Sequence, residues 1–281
     1  MYQQYSAPRT KYRRSPDEQL PNEINESLLS LEEQWSKSKA GRKIAAFDLD
    51  NTLLIGDIGE AVFAALKMQG YIPGFGWESY RKLLATNRGE AYCSIVRALS
   101  GLTERTIHKV TLDVLTRSED YIELDWSFIR VPRAHPLMLI LVNQLRSLGY
   151  QICVISASNE ISARIAAWRL FNIPPFYVYG IRQGMQQGVL TSELISPMPI
   201  GEGKVEVFRR FFGEADPAIT AGDSSLDIPL LQMTDPRGFS MWVGEEKVGL
   251  DIVRQKVGAS RKVCFLARPP VSQIDEDGPD R

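Results

Sequence analysis

Three short apolar runs in this chain each stop at a knot of small polar and acidic residues. Residues 43–49 carry Ile44-Ala45-Ala46-Phe47 straight into Asp48-Leu49-Asp50-Asn51-Thr52. Residues 151–156 end in Ser156-Ala157-Ser158, and residues 217–221 run into Gly222-Asp223-Ser224-Ser225-Leu226-Asp227. Short apolar runs flanked by charge suit central strands of a parallel sheet, buried on both faces. A fourth run, 239–244, reads the same way. The stretches between them have helical character. Residues 136–148 place Leu137, Leu141, Leu145 and Leu148 in register and stop at Gly149. Residues 159–172 offer Ile161, Ile165 and Trp168 on one face, and 203–212 read as a further helix. Residues 177–182 and 188–193 read as two strands around a Gly-rich turn. Strands alternating with helices predict an α/β fold with a Rossmann-like parallel sheet covered on both faces.

One long segment interrupts that alternation. Residues 57–132 are mostly helical in pattern, broken near residues 70–74 and at Ser100-Gly101. We read them as a helical cap inserted into a core formed by residues 41–56 and 133–266. Residues 1–40 form an N-terminal extension. It comprises a polar arm over 1–16 and a helix over 17–39 with Leu28, Leu29, Leu31 and Trp35 as its apolar stripe. Residues 267–281 read as a polar C-terminal tail.

Composition narrows the class further. Hydrophobic residues make up 44% of the 281 and charged residues 24%, so the chain has the material for a sizeable core. Thirty-three basic residues nearly cancel thirty-four acidic ones, which leaves no electrostatic footprint for nucleic acid or an anionic membrane. No apolar run approaches the roughly 20 residues of a membrane helix. The arm lacks the apolar stretch of a secretory signal, and Asp17 and Glu18 argue against a transit peptide. Cys93, Cys153 and Cys264 are spaced as neither a disulfide framework nor a zinc site. These features predict free thiols and a cytoplasmic protein, monomeric or homodimeric. His108 and His135 show no partner pattern. Of the tryptophans only Trp77 sits in a Gly-rich loop of the insert.

Ligands of open α/β sheets sit beyond the carboxyl ends of the strands. If the polar knots meet there, Asp48, Asp50 and Asp223 crowd negative charge together, which favours a hard cation such as Mg²⁺. A phosphate fits as the remaining ligand. Ser156 and the backbone N–H groups after it, beginning with Ala157, offer an anion site, and Lys204 adds a positive point charge. One carboxylate can act as nucleophile, giving a phosphoaspartate. A second can protonate the leaving oxygen and then activate water.

In these residues the chain resembles the haloacid dehalogenase superfamily. It carries Asp-x-Asp-x-Thr after an apolar strand (Asp48, Asp50, Thr52), a strand-ending Ser (Ser156), a helix-opening Lys (Lys204) and Gly-Asp-x-x-x-Asp (Gly222 to Asp227) in the superfamily's order. The likeness spans about residues 43–245. It implies Asp48 as nucleophile and Asp50 as acid/base, with the Asp50 carbonyl on Mg²⁺. It implies that Thr52 and Ser156 hold phosphoryl oxygens and that Lys204 bridges nucleophile and phosphate. Asp223 would ligate Mg²⁺, with Asp227 ordering its surroundings. An Asp at the second position implies a phosphatase rather than a dehalogenase.

The insert lies between the first two motifs, like a type 1 helical cap, and residues 178–205 resemble the phosphoserine phosphatase-like branch. A small phosphorylated metabolite of the phosphoserine, phosphocholine or phosphoethanolamine kind is the implied substrate. The Glu that meets the substrate amine in phosphoserine phosphatases is replaced here by Asp57, with Glu60 one turn on. Both also suit a helix cap. Arg88 or Arg97 is available for a substrate carboxylate. A phosphotransferase or mutase with the same intermediate, or a non-catalytic binding protein on this fold, are the alternative readings.

Overall fold

A computed structural model describes residues 19–37, 42–244, 249–258 and 261–269. The predicted N-terminal arm and nearly all of the predicted tail lie outside the described residues. The elements run α1 (Asn22–Lys37), β1 (Ile44–Phe47), β2 (Leu54–Ile55), α2 (Ile58–Met68), α3 (Trp77–Thr86), α4 (Arg88–Arg97), α5 (Glu104–Leu115), β3 (Tyr121–Leu124) and β4 (Ser127–Arg130). They continue with β5 (Arg133–Ala134), α6 (Pro136–Ser147), β6 (Gln151–Asn159), α7 (Glu160–Phe171), β7 (Val178–Gln186), β8 (Val189–Ile195), α8 (Glu202–Phe212), β9 (Ile219–Gly222), α9 (Ile228–Gln232), β10 (Phe239–Gly244), α10 (Leu250–Val257) and β11 (Lys262–Ala267).

The main sheet has seven strands in the order β11-β10-β9-β1-β6-β7-β8. All neighbours are parallel except β7 and β8, which pair antiparallel. The three apolar runs that end in polar knots are adjacent in the sheet, with β1 between β9 and β6. Being parallel, they deliver their polar ends to the same edge. Alternation along β1 splits its side chains between two layers. Ala45 and Phe47 join the larger hydrophobic cluster, while Ile44 and Ala46 join Val207, Phe208 and Phe212 of α8 on the other face. This is the α/β sandwich that the sequence predicts.

The insert is joined to the core through a short antiparallel ribbon. Leu54 pairs with Ala134 and Ile55 with Arg133. Between β2 and β5 lie α2 to α5 and then a hairpin, β3–β4, so the insert is not purely helical. The hairpin turn places Asp125 and Trp126 at φ 48° and 61°. Two left-handed residues make a turn that matches strand twist, but Asp-Trp lacks the Asn-Gly or Asp-Gly signature that announces it.

Three helix faces differ from their predicted stripes. Leu29 is 71% exposed, and α1 instead buries Ile24, Ser27, Leu28, Leu31 and Trp35. Helix α6 buries Met138, Leu141, Val142 and Leu145, while Leu137 and Leu148 are only half-buried. Helix α7 buries Ser162, Ala163, Ile165, Ala166, Ala167 and Phe171, leaving Ile161 and Trp168 half-buried. A helix clamped between the sheet and α5 packs through small residues, so the largest apolar side chains need not mark its inner face. Helix α1 is no appendage. Its apolar residues belong to the main core, Lys43 pairs with its Glu32 at 2.6 Å, and the Tyr150 hydroxyl donates to Glu32 at 2.8 Å. The strand β11 runs to Ala267, one residue past the predicted core boundary, and Arg268 belongs to the site described next. Cys93, Cys153 and Cys264 are free and buried. Among the described residues no helix is long and apolar enough to cross a membrane.

Candidate active site

Asp48 follows β1 directly, and its backbone N–H donates to the Ala221 carbonyl of β9 at 3.0 Å. The chain then turns tightly, with Asn51 at φ 57°, before entering β2. This turn returns Asp50 and Thr52 toward the strand ends. Helix α8 opens at Gly201 and sends Lys204 into the same space, where it is 2% exposed. The Lys204 Nζ lies 2.6 Å from Asp48 Oδ1 and 2.5 Å from Asp227 Oδ1. Asp227 Oδ2 accepts from the Asp223 and Ser224 backbone N–H groups and the Ser224 hydroxyl, at 3.2, 2.9 and 2.8 Å. Close packing makes this possible. A Cβ on Gly222 would fall 2.3 Å from Asp227 Cβ.

One carboxylate oxygen each of Asp48, Asp223 and Asp227 lie within 4.8 Å of one another. Burial is the main force raising the Asp48 pKa well above the usual carboxylate range. Lys204 opposes it, and Asp227, Asp223 and Asp50 add to it. Burial, then Asp227, pushes Asp223 up to about 7. Burial alone would lower Lys204, but Asp227 and Asp48 together hold it above its ordinary value. Carboxylates raised in this way by burial and by one another mark a site short of positive charge. Hard oxygen donors at this spacing fit a cation of the Mg²⁺ kind. Both oxygens of Asp227 are already engaged by Lys204 and its own loop. A cation there would therefore be left to Asp48 and Asp223, with Asp227 behind them.

Asp50 is placed differently. Its carboxylate is outside the acidic trio. It accepts from the Ile58 N–H at 2.7 Å, the Ser156 hydroxyl at 2.9 Å and the Ser158 hydroxyl at 2.7 Å. Burial raises its pKa, against the lowering effect of these hydrogen bonds and Lys204. With its carboxylate so engaged, only its backbone carbonyl could meet a metal. Ser156 is fully buried and also accepts from the Ser158 N–H at 2.9 Å. Strand β6 continues past Ser156 to Asn159, whose side chain caps α7 through the Ser162 N–H, so the helix lies where the sequence places it, over 159–172. Ala157 therefore sits on the strand between the two serines, half-buried. The Thr52 hydroxyl is buried and has no hydrogen-bond partner among the described residues. A hydroxyl in that state costs free energy until a ligand satisfies it.

The insert supplies the other wall. Asp57 caps α2 by accepting the Glu60 N–H at 2.9 Å. Glu60 does not return the favour, because its carboxylate takes the Tyr80 hydroxyl at 2.6 Å. Burial, then Asp50 and Glu60, raises Asp57 well above the usual range, and burial likewise raises Glu60. Arg88 is exposed yet close enough to Glu60 and Asp223 to lower both. Arg97 is not brought to the site. It pairs with Glu90 at 2.5 Å, on the same helix. Trp77 is a packing residue, against Phe63 and Tyr80. His135 is buried, with Nε2 3.2 Å from the Ala267 carbonyl, and burial pulls its pKa down to about 4.

Two site residues escaped the sequence analysis. Ser158, which the sequence marks only as the end of a polar knot, donates to Asp50. Arg268, at the end of β11, lies 3.2 Å from Asp223 Oδ2. The apolar run before it, Val263-Cys264-Phe265-Leu266, is the signal that a further strand ends there.

The seven-stranded sheet with its acidic strand ends defines the class. The sequence model of the haloacid dehalogenase-like hydrolases matches residues 45–232, and the chain belongs to that family. No curated protein sequence matches it. Solved structures share the fold at low identity. A conserved protein of unknown function from Anaerococcus prevotii is 17% identical with a TM-score of 0.62, covering 84% of this chain and 91% of its own. A protein of unknown function from Bordetella pertussis is 18% identical with a TM-score of 0.59, covering 80% and 98%. A phosphoserine phosphatase, solved as an analogue of its phospho-aspartyl intermediate, is 15% identical with a TM-score of 0.53, covering 82% and 95%.

Proposed function

We propose that the protein is a Mg²⁺-dependent phosphatase that hydrolyses a small phosphorylated metabolite through a phosphoaspartate at Asp48. The observation that carries this reading is the convergence of Asp48, Lys204, Asp223 and Asp227 from two adjacent strand ends and one helix start. Asp48 and Asp223, with the Asp50 carbonyl, would hold the metal. When bound, Mg²⁺ supplies positive charge for the acidic cluster and the phosphoryl oxygens.

In the first half-reaction an Asp48 oxygen bonds to phosphorus as the bond to the leaving oxygen breaks. Asp50, whose burial favours its protonated form, gives that oxygen its proton. In the second, Asp50 takes a proton from water, the water oxygen bonds to phosphorus, and the Asp48–phosphorus bond breaks to release phosphate. Lys204 keeps Asp48 in line through its 2.6 Å contact. Thr52 supplies its unpartnered hydroxyl to the phosphoryl oxygens, and Ser156 does so when its proton turns away from Asp50. Asp57, Glu60 and Arg88 form the approach on which the leaving group lies. The likeness to a phosphoserine phosphatase fold agrees with this chemistry.

Turnover of p-nitrophenyl phosphate in Mg²⁺ tests the reading. Asp48→Asn is expected to abolish it, and EDTA to abolish it in the native chain until Mg²⁺ is restored. Undiminished turnover by the folded Asn variant would remove Asp48 as nucleophile, and turnover in EDTA would remove the metal.

A further inference from the structure

A cavity of about 140 Å³ opens beside the phosphoryl site. Its lining includes Asn51, from the turn that carries Asp50 and Thr52, and Arg268, which contacts Asp223. Asp57, Glu60 and Arg130, the last residue of β4, also line it. Gly56 keeps the space open. It holds φ +101°, and a Cβ there would lie 3.3 Å from Arg130 Cγ.

The charges that line the cavity are not equally spoken for. Asp57 caps α2, and Glu60 accepts the Tyr80 hydroxyl. Arg268 reaches Asp223. Arg130 has only the Tyr121 hydroxyl at 3.5 Å and the Tyr121 ring at 5.9 Å, and among the described residues no carboxylate pairs with it. A guanidinium that is half-buried, unmatched by an acid and part of a cavity lining is suited to a planar anion, which it can hold through two parallel N–H donors.

We infer that this cavity is a specificity subsite for a carboxylate on the leaving group, held by Arg130 from the hairpin and Arg268 from the end of β11. The inference rests on the phosphatase reading and deepens it. Neither arginine belongs to the motifs that mark the family in this sequence, and Arg88 and Arg97 are not needed for the task. The hairpin, which the sequence does not announce, thereby becomes part of substrate selection.

Binding to the full-length Asp48→Asn chain in Mg²⁺, measured by titration calorimetry, separates this from the catalytic reading because it requires no turnover. The probes are 3-phosphoglycerate and glycerol 3-phosphate, which differ by a carboxylate in place of a hydroxymethyl group. The first is expected to bind at least about tenfold more tightly, the discrimination typical of one charged hydrogen-bonded contact. Adding Arg130→Gln should cut that preference below about threefold, and Arg130→Lys should keep part of it. Arg268→Gln should reduce it independently from the other side. Equal binding of the two probes, no binding of either, or a preference that survives Arg130→Gln would overturn the subsite. A chain that turns over p-nitrophenyl phosphate yet shows no such preference would retain the phosphatase reading and lose only the subsite. Selective binding by a native chain without turnover would do the reverse.

Discussion

At the scale of single residues, Lys204 decides how the acidic cluster can exist at all. It is 2% exposed and bonds Asp48 and Asp227 at once. Two carboxylates facing each other in a buried space repel unless a cation lies between them, and removing one partner of a buried ion pair costs about 3–5 kcal/mol. Lys204→Met should therefore lower stability by about that amount in EDTA, read as a fall in the urea midpoint, and Mg²⁺ should restore part of the loss. A midpoint unmoved by the substitution would mean that the carboxylates carry no buried charge. The identities of these residues were legible in the sequence because each sits where a strand or helix ends, a local property. Which atoms meet was not legible. The division of Asp227 between Lys204 and its own loop, and the turning of Asp50 toward Ser156 and Ser158, follow from side-chain directions fixed by packing.

At the scale of elements, α2 links the insert to the chemistry. Its first turn gives the Ile58 N–H to Asp50, and Asp57 caps it. Most of the helix is buried, including Ile58, Gly59 and the run from Ala61 to Leu66. Gly59 is the point of closest approach, since a Cβ there would lie 2.7 Å from Ser158 Oγ. On propensity alone, replacing a helical glycine by alanine stabilises by about 0.4–1 kcal/mol. Here the methyl must push the Ser158 hydroxyl off Asp50. Gly59→Ala is expected to lower kcat for p-nitrophenyl phosphate by at least about tenfold, an order below the usual worth of an acid/base group. Its thermal unfolding should stay near that of the native chain. Unchanged kcat would show that the Ser158 contact does not hold Asp50 in place. The β2–β5 ribbon flanks the stretch 57–132 that the sequence sets apart by its helical pattern. The β3–β4 hairpin was not readable, because a turn built on Asp125 and Trp126 hides its left-handed geometry behind residues that rarely adopt it.

At the scale of the molecule, the insert and the sheet share one hydrophobic cluster. Phe63, Trp77, Tyr80, Ile107 and Val110 of the insert belong to the same cluster as Leu28 and Leu31 of α1 and Phe47 and Val154 of the sheet. Chains of this length often unfold in steps. A shared core predicts that far-UV circular dichroism and tryptophan fluorescence, with Trp77 in the insert and Trp242 in the sheet, report one coincident urea transition. Two separated transitions would mean that the insert has a core of its own. The sequence by itself determined the alternation of strands and helices, the polar knots at the strand ends and the acidic character of the site, because each is written in neighbouring residues. Only the tertiary structure decided that Arg130 and Arg268, from a hairpin and from the seventh strand of the sheet, border the same cavity. No local pattern encodes that meeting, since it depends on strand order and on where a twisted sheet brings its far edge.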